Sequence, residues 1–116
     1  MFIVNQDNNL CIELKKVRYI IDWDNKVKKE LEDIYNRMYP KAYNYGSTDN
    51  CLREIKREQD NYIMYHNPKK VLRIYANDEL FATYKDIDVG IMMFDKIKEG
   101  IGKGDLLMDL SLEITQ

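Results

Sequence analysis

Few side chains in this sequence could do chemistry, and none stands at the spacing that chemistry needs. The one histidine, His66, sits in "YHNPKK". Activation of a nucleophile requires a serine or cysteine partner at a recognisable spacing. None accompanies it, so a solvated or structural histidine is expected. Asp22 and Asp24 flank Trp23 and could share a cation, but a hard cation takes six or so oxygens and no further ligands follow in a metal-binding pattern. An aspartate ahead of a helix is ordinarily a cap. "GIGKGD" has the look of a phosphate loop, yet it follows a helical pattern rather than a strand and carries no Ser or Thr after its Lys. It is read as a flexible connector. Cys11 and Cys51 lack metal-type spacing and are read as reduced packing residues. The expectation is a protein that is not an enzyme, with no catalytic residue, no metal and no cofactor.

What remains is aromatic and guanidinium-rich. There are nine tyrosines, and Tyr35, Tyr39, Tyr43, Tyr45 and Tyr62 cluster in sequence with Arg37, Arg53, Lys56 and Arg57 nearby. Tyr and Arg anchor protein interfaces because each offers a large contact area at low entropic cost and ends in a polar group. Tyr35, Tyr39, Tyr43, Tyr45, Arg53, Lys56, Arg57 and Tyr62 are therefore the candidate partner-binding residues. The plainer reading is that an AT-rich genome favours Tyr, Asn, Lys and Ile whatever their use. Arg53 and Arg57 stand at i and i+4 with Glu54 and Glu58 alongside, a mixed surface rather than a phosphate clamp.

These residues have one modest domain to sit on. A chain of 116 residues, 45% of them hydrophobic, fills a single core. Eighteen Lys and Arg against twenty Asp and Glu leave a net charge of −2, without the positive excess that duplex nucleic acid attracts. No apolar run approaches the roughly 20 residues of a spanning helix, and "MFIVNQDN" has neither the basic nor the apolar region of a signal peptide. A soluble protein of the cytosol is expected, with no membrane partner.

The elements follow from periodicity. "FIV", "LCIEL" and "VRYIIDW", separated by "NQDNN" and "KK", have the spacing of a β-meander. Alternation in the third puts Val17, Tyr19, Ile21 and Trp23 on one face and predicts a half-buried strand. From Asp24 the period becomes helical, with Val27, Leu31, Ile34, Tyr35 and Met38 predicting a helix over 25–39 that Pro40 stops. Ser47 or Thr48 caps a second helix with Leu52, Ile55 and Gln59 inward. "NYIMYHN" satisfies either period; we read helix to about residue 60 and strand after it. "VLRIYANDELFATY" predicts a hairpin turning at Asn77 and Asp78, with 76 opposite 79. Asp86 caps a helix with a stripe of Val89, Met93 and Ile97, broadened by Phe94 and Ile101 and ended by Gly100. "LMDLSLEIT" alternates strictly, predicting a strand that pairs in its own sheet or on another subunit. The fold class is α+β: a mainly antiparallel sheet of five to six short strands in a single domain, 1–116, with a helical insertion over 24–67, one helix near the C-terminus and a final strand.

"MFIVNQDNN" and "LFATYKDIDVGIMMFDKI" together resemble small proteins of phages, prophages and other mobile elements of low-GC Gram-positive bacteria. Those proteins start Met-x-Ile-Val-Asn-Gln and close with a strand, a Tyr-Lys pair and a helix carrying a small residue one turn in. Phe81, Tyr84, Lys85, Asp86, Gly90, Met93, Phe94 and Ile97 match that pattern in register. The match covers some 45 residues at the two ends, and the insertion is where this chain departs. The resemblance implies a counter-defence role by stoichiometric binding. One expectation is an inhibitor that blocks a host defence protein such as a CRISPR effector. The alternative is a sponge for a cyclic or ADP-ribose-type nucleotide held at an oligomer interface, and an ordinary phage housekeeping role is a third. A homodimer or higher oligomer is a further expectation.

Overall fold

The computed structural model describes residues 1–40 and 48–112. They form, in order, β1 (Phe2–Val4), β2 (Cys11–Glu13), β3 (Val17–Trp23), α1 (Asn25–Met38), α2 (Thr48–His66), β4 (Lys70–Ala76), β5 (Glu79–Tyr84), α3 (Ile87–Lys103) and β6 (Leu107–Asp109), then a 3-10 turn, Leu110–Leu112. The class is α+β. The strands divide into two sheets of three, β2-β1-β6 and β3-β4-β5. The meander is thus a correction: β1 and β2 pair antiparallel, but the third segment leaves them for β4, and β1 takes β6 as a parallel neighbour.

The chain falls into two compact units, residues 1–22 with 70–116, and residues 23–69. In the first, Ile3, Leu72, Ile74, Phe81, Tyr84, Met93, Ile97 and Leu110 form the buried core. Its hairpin turns where expected, with Asn77 and Asp78 at φ 50° and 69° and Ala76 opposite Glu79. Two successive positive φ values give a turn whose twist matches the flanking strands. A bulge follows. Tyr75 pairs with Leu80 but Ile74 with Ala82, so Phe81 is an extra residue and both Phe81 and Ala82 turn inward.

Asn77 does more than turn the chain. Its Oδ1 accepts the backbone N–H groups of Lys15 and Lys16 at 2.8 and 3.1 Å, and its Nδ2 donates to the Glu13 carbonyl at 2.9 Å. Asp78 next to it pairs with Lys16 at 2.7 Å and lies 3.7 Å from Arg18. The hydrogen bond from Lys16 and the two positive charges hold its carboxyl below the ordinary 3.8 against a smaller opposing effect of desolvation. The "VNQ" that ends the first strand and leaves it is likewise architectural. Buried Asn5 accepts from the backbone of Asn9 and Leu10, closing the β1–β2 connection. Gln6 then reaches β5, its N–H donating to Phe81 O at 2.8 Å.

Asp86 caps α3 by accepting from the Asp88 and Val89 N–H groups. The buried stripe is Gly90, Met93, Ile97 and Gly100, while Ile101 is 47% exposed. A Cβ on Gly90 would lie 2.8 Å from Leu72 Cδ2 and 3.0 Å from Leu72 Cβ, so the glycine is what lets α3 lie on β4. Gly100 does not end this helix. It continues to Lys103, and Gly104 caps it at φ 74°. Most of "GIGKGD" is therefore the last turn of a helix.

The terminal alternation also fails in part. β6 stops at Asp109, whose carboxylate accepts the Ser111 N–H and hydroxyl at 2.9 and 2.5 Å. That local bonding draws the chain into the 3-10 turn. Leu110 is buried and Leu112 is 72% exposed.

In the second unit α1 and α2 form a helical hairpin around Val27, Ile34, Cys51 and Ile55. Asp24 caps α1 through the Val27 N–H at 2.9 Å. Gln59 Nε2 donates to Leu31 O at 2.9 Å, a polar tie between the helices. On α2, Ile55 is buried as expected, but Cys51 takes the inward position of the preceding turn and Leu52 is 42% exposed. Residues 61–66 are helix, not strand: α2 runs to His66, and Asn67 at φ 43° ends it ahead of Pro68.

Candidate functional site

The helical course of residues 61–66 changes what the hairpin presents. On α1, Glu30, Ile34 and Arg37 recur at i, i+4 and i+7 and so share a face. On α2, Glu58, Asn61, Tyr62 and Tyr65 recur at i, i+3, i+4 and i+7. Together with Met64 and His66 these residues line an open cleft of ≈ 580 Å³. Ile34 is buried there, and the aromatic and thioether side chains line the same cleft.

Two of the cleft residues are unusually bare for their type. Met64 is 75% and Tyr65 86% exposed. Single exposed apolar residues need no explanation, whereas adjacent ones beside a lined concavity mark contact surfaces. His66 is held rather than loose. Its ring stacks on Tyr62 with centroids 4.2 Å apart and meets Tyr65 edge-on at 5.1 Å. Its Nδ1 lies 3.1 Å from Tyr62 O. A carbonyl only accepts, so in this bond Nδ1–H is the donor. Tyr62, His66 and Tyr65 together form an aromatic platform. Arg37, Glu30 and Glu58 also line the cleft, a rim of mixed charge.

Of the residues singled out from sequence, Tyr62 and Arg37 line this cleft. Tyr35 and Tyr39 stack on each other at 5.2 Å along α1, both about 40% exposed and outside the lining. Arg53, Lys56 and Arg57 are exposed on α2 and do not line it either; Arg57 pairs with Glu54 at 2.8 Å. Tyr43 and Tyr45 lie outside the described residues. Met64, Tyr65 and His66 do not stand out as one surface in the sequence, because reading 61–66 as a strand sends alternate side chains to opposite faces. The signal that finds them is the run 58, 61, 62 and 65 at helical spacing.

Among the described residues no three His, Cys, Asp or Glu side chains are grouped to hold a metal ion, and no helix is long and apolar enough to cross a membrane. In comparison with known proteins, no family model matches the chain, and no curated protein or solved structure matches it either.

Proposed function

We propose that this is a non-catalytic binding protein that docks a protein partner through its helical hairpin, with the residue 62–66 platform as the anchor. The observation that carries the reading is the exposure of Met64 and Tyr65 beside a cleft floored by Ile34. An apolar side chain of a partner can enter the cleft while Glu30, Arg37, Glu58 and Asn61 pair with polar groups around it, the arrangement of an interface core with a polar rim. Tyr35 and Tyr39 extend the same helix pair as secondary contacts. The resemblance to mobile-element proteins makes a host defence protein the proposed partner and the host cytosol the proposed setting.

A nucleotide sponge is less well supported. Phosphates need converging cations, and the cleft sets one guanidinium against two carboxylates. The test is affinity capture from host cells with wild type and with Tyr65→Ala and Met64→Ala, followed by mass spectrometry of proteins and of small molecules. A protein retained by wild type and lost from both variants is expected. Equal capture by all three, or a co-purified nucleotide in place of a protein, would overturn the reading.

A further inference from the structure

We propose that β3 is a self-association edge, across which a second copy of this chain pairs antiparallel about Ile20 to join the two β3-β4-β5 sheets. β3 is one margin of its sheet. With seven residues it shares with β4 the greatest strand length among the described residues. Tyr19, Ile20 and Ile21 are all 38–40% exposed on it, which departs from the half-buried alternation its sequence predicts.

Soluble proteins protect long apolar edge strands with Lys, Pro, bulges or charges that repel a second strand. "VRYIIDW" has no Lys and no Pro. Its two charges, Arg18 and Asp22, have opposite sign and lie two positions either side of Ile20. In antiparallel pairing about Ile20, position 18 of one copy faces position 22 of the other. Arg18 therefore meets Asp22 twice across the seam, Tyr19 meets Ile21 twice, and Val17 meets Trp23 twice. Directly opposed residues lie on the same face of a sheet, and this register keeps like faces together because paired positions share parity. Opposite charges and aromatic–β-branched neighbours are the favourable cross-strand pairs. The strand is thus complementary to itself over its seven residues, in charge at Arg18 and Asp22 and in apolar pairing elsewhere.

Arg18 also lies over the Tyr75 ring at 4.6 Å and near Asp78, and Asp22 has contacts of its own in the chain. The pairing asks only that their charges face one another at the seam. A seven-residue seam is small beside the standard interface of roughly 1,600 Å², so association should be concentration-dependent, with a dissociation constant in the micromolar range or above.

Self-association through β3 does not depend on the hairpin's docking role, and its test uses the protein alone. Sedimentation equilibrium on the whole chain should show the mass rising from 13.9 kDa towards twice that value with concentration. Arg18→Glu places two acidic side chains opposite each other at both ends of the seam, and Asp22→Lys places two basic ones. Each variant alone should dissociate at least about tenfold more readily. Mixed together they should associate again, since the glutamate introduced in one copy then faces the lysine introduced in the other, and the unchanged Asp22 of the first faces the unchanged Arg18 of the second. Ile20→Lys, at a position exposed in the chain, should be monomeric with unchanged circular dichroism and melting temperature. A wild type that stays monomeric throughout would overturn the proposal. So would self-association that survives in all three variants, or charge variants that fail to restore each other on mixing while both remain folded.

Discussion

The backbone N–H of Thr83 donates to the side-chain oxygen of Gln6 at 2.9 Å, while the N–H of Gln6 donates to Phe81 O two residues back on the same strand. Gln6 thereby acts as a one-residue strand on the outer margin of β5. The two short patterns at opposite ends of the sequence, "VNQ" and "LFATYK", touch in space. A Gln6→Ala variant should lose about 0.5–1.5 kcal/mol, the ordinary net contribution of a hydrogen bond. Urea unfolding would measure this, and amide exchange should speed up at Thr83 before it does elsewhere in β5.

Asn77 combines an unusual backbone with three side-chain bonds, and two variants separate these contributions. Asn77→Gly keeps the positive φ and loses the bonds to Glu13, Lys15 and Lys16. Asn77→Ala loses both. We expect Ala to be the more destabilised by about 1 kcal/mol, the cost of a left-handed Cβ, and each to be destabilised by more than about 1 kcal/mol relative to wild type. Equal stabilities for the two would mean that the conformation carries nothing.

Gly90→Ala sets two effects against each other. Helix propensity favours Ala by about 1 kcal/mol, whereas overpacking against fully buried Leu72 costs about 1–3 kcal/mol. Leu72 is fully buried and its Cβ as well as its Cδ2 stands within 3.0 Å of the added methyl, so net destabilisation is expected. Truncation at Leu72→Ala should cost measurably less in the Gly90→Ala background than in wild type, a coupling that a double-mutant cycle reads directly.

Asp78 predicts a sign in acid. Its carboxyl titrates below 3.8 in the folded chain because Lys16 and Arg18 stabilise the charged form. The contribution is present above the unfolded value and is lost as pH falls through the folded one. Melting temperature should therefore fall somewhat more steeply below about pH 4 in wild type than in Asp78→Asn. The difference should shrink in high salt, since the pair is exposed.

Local chemistry made parts of this fold legible. The Asn77–Asp78 turn, the Asp86 cap and the small residue at Gly90 each rest on a requirement met within a few positions of chain. Features decided by distant pairing were not legible. Nothing in "FIV" says that its second neighbour is Leu107–Asp109, or that "VRYIIDW" joins the later hairpin. The tail misled because strict alternation is also what a short strand followed by an Asp109-bonded turn produces. For the candidate cleft, Arg37 and Tyr62 stood out by residue type, but Met64 and Tyr65 depended on the period assigned to "NYIMYHN". A short run of Tyr, Ile and Met carries no preference strong enough to choose it.

The parallel pairing of Phe2–Val4 with Leu107–Asp109 also sets a timetable. During synthesis β6 follows β1 by about a hundred residues. At typical elongation rates of roughly 5–20 residues per second, this leaves an apolar strand without its partner for several seconds. Over the same interval α1 and α2 can pair from contacts local in sequence, and helical hairpins form far faster than the ribosome advances. The helical hairpin can thus form on the nascent chain before its scaffold is complete, and the β1–β6 contact closes only after β6 has been made.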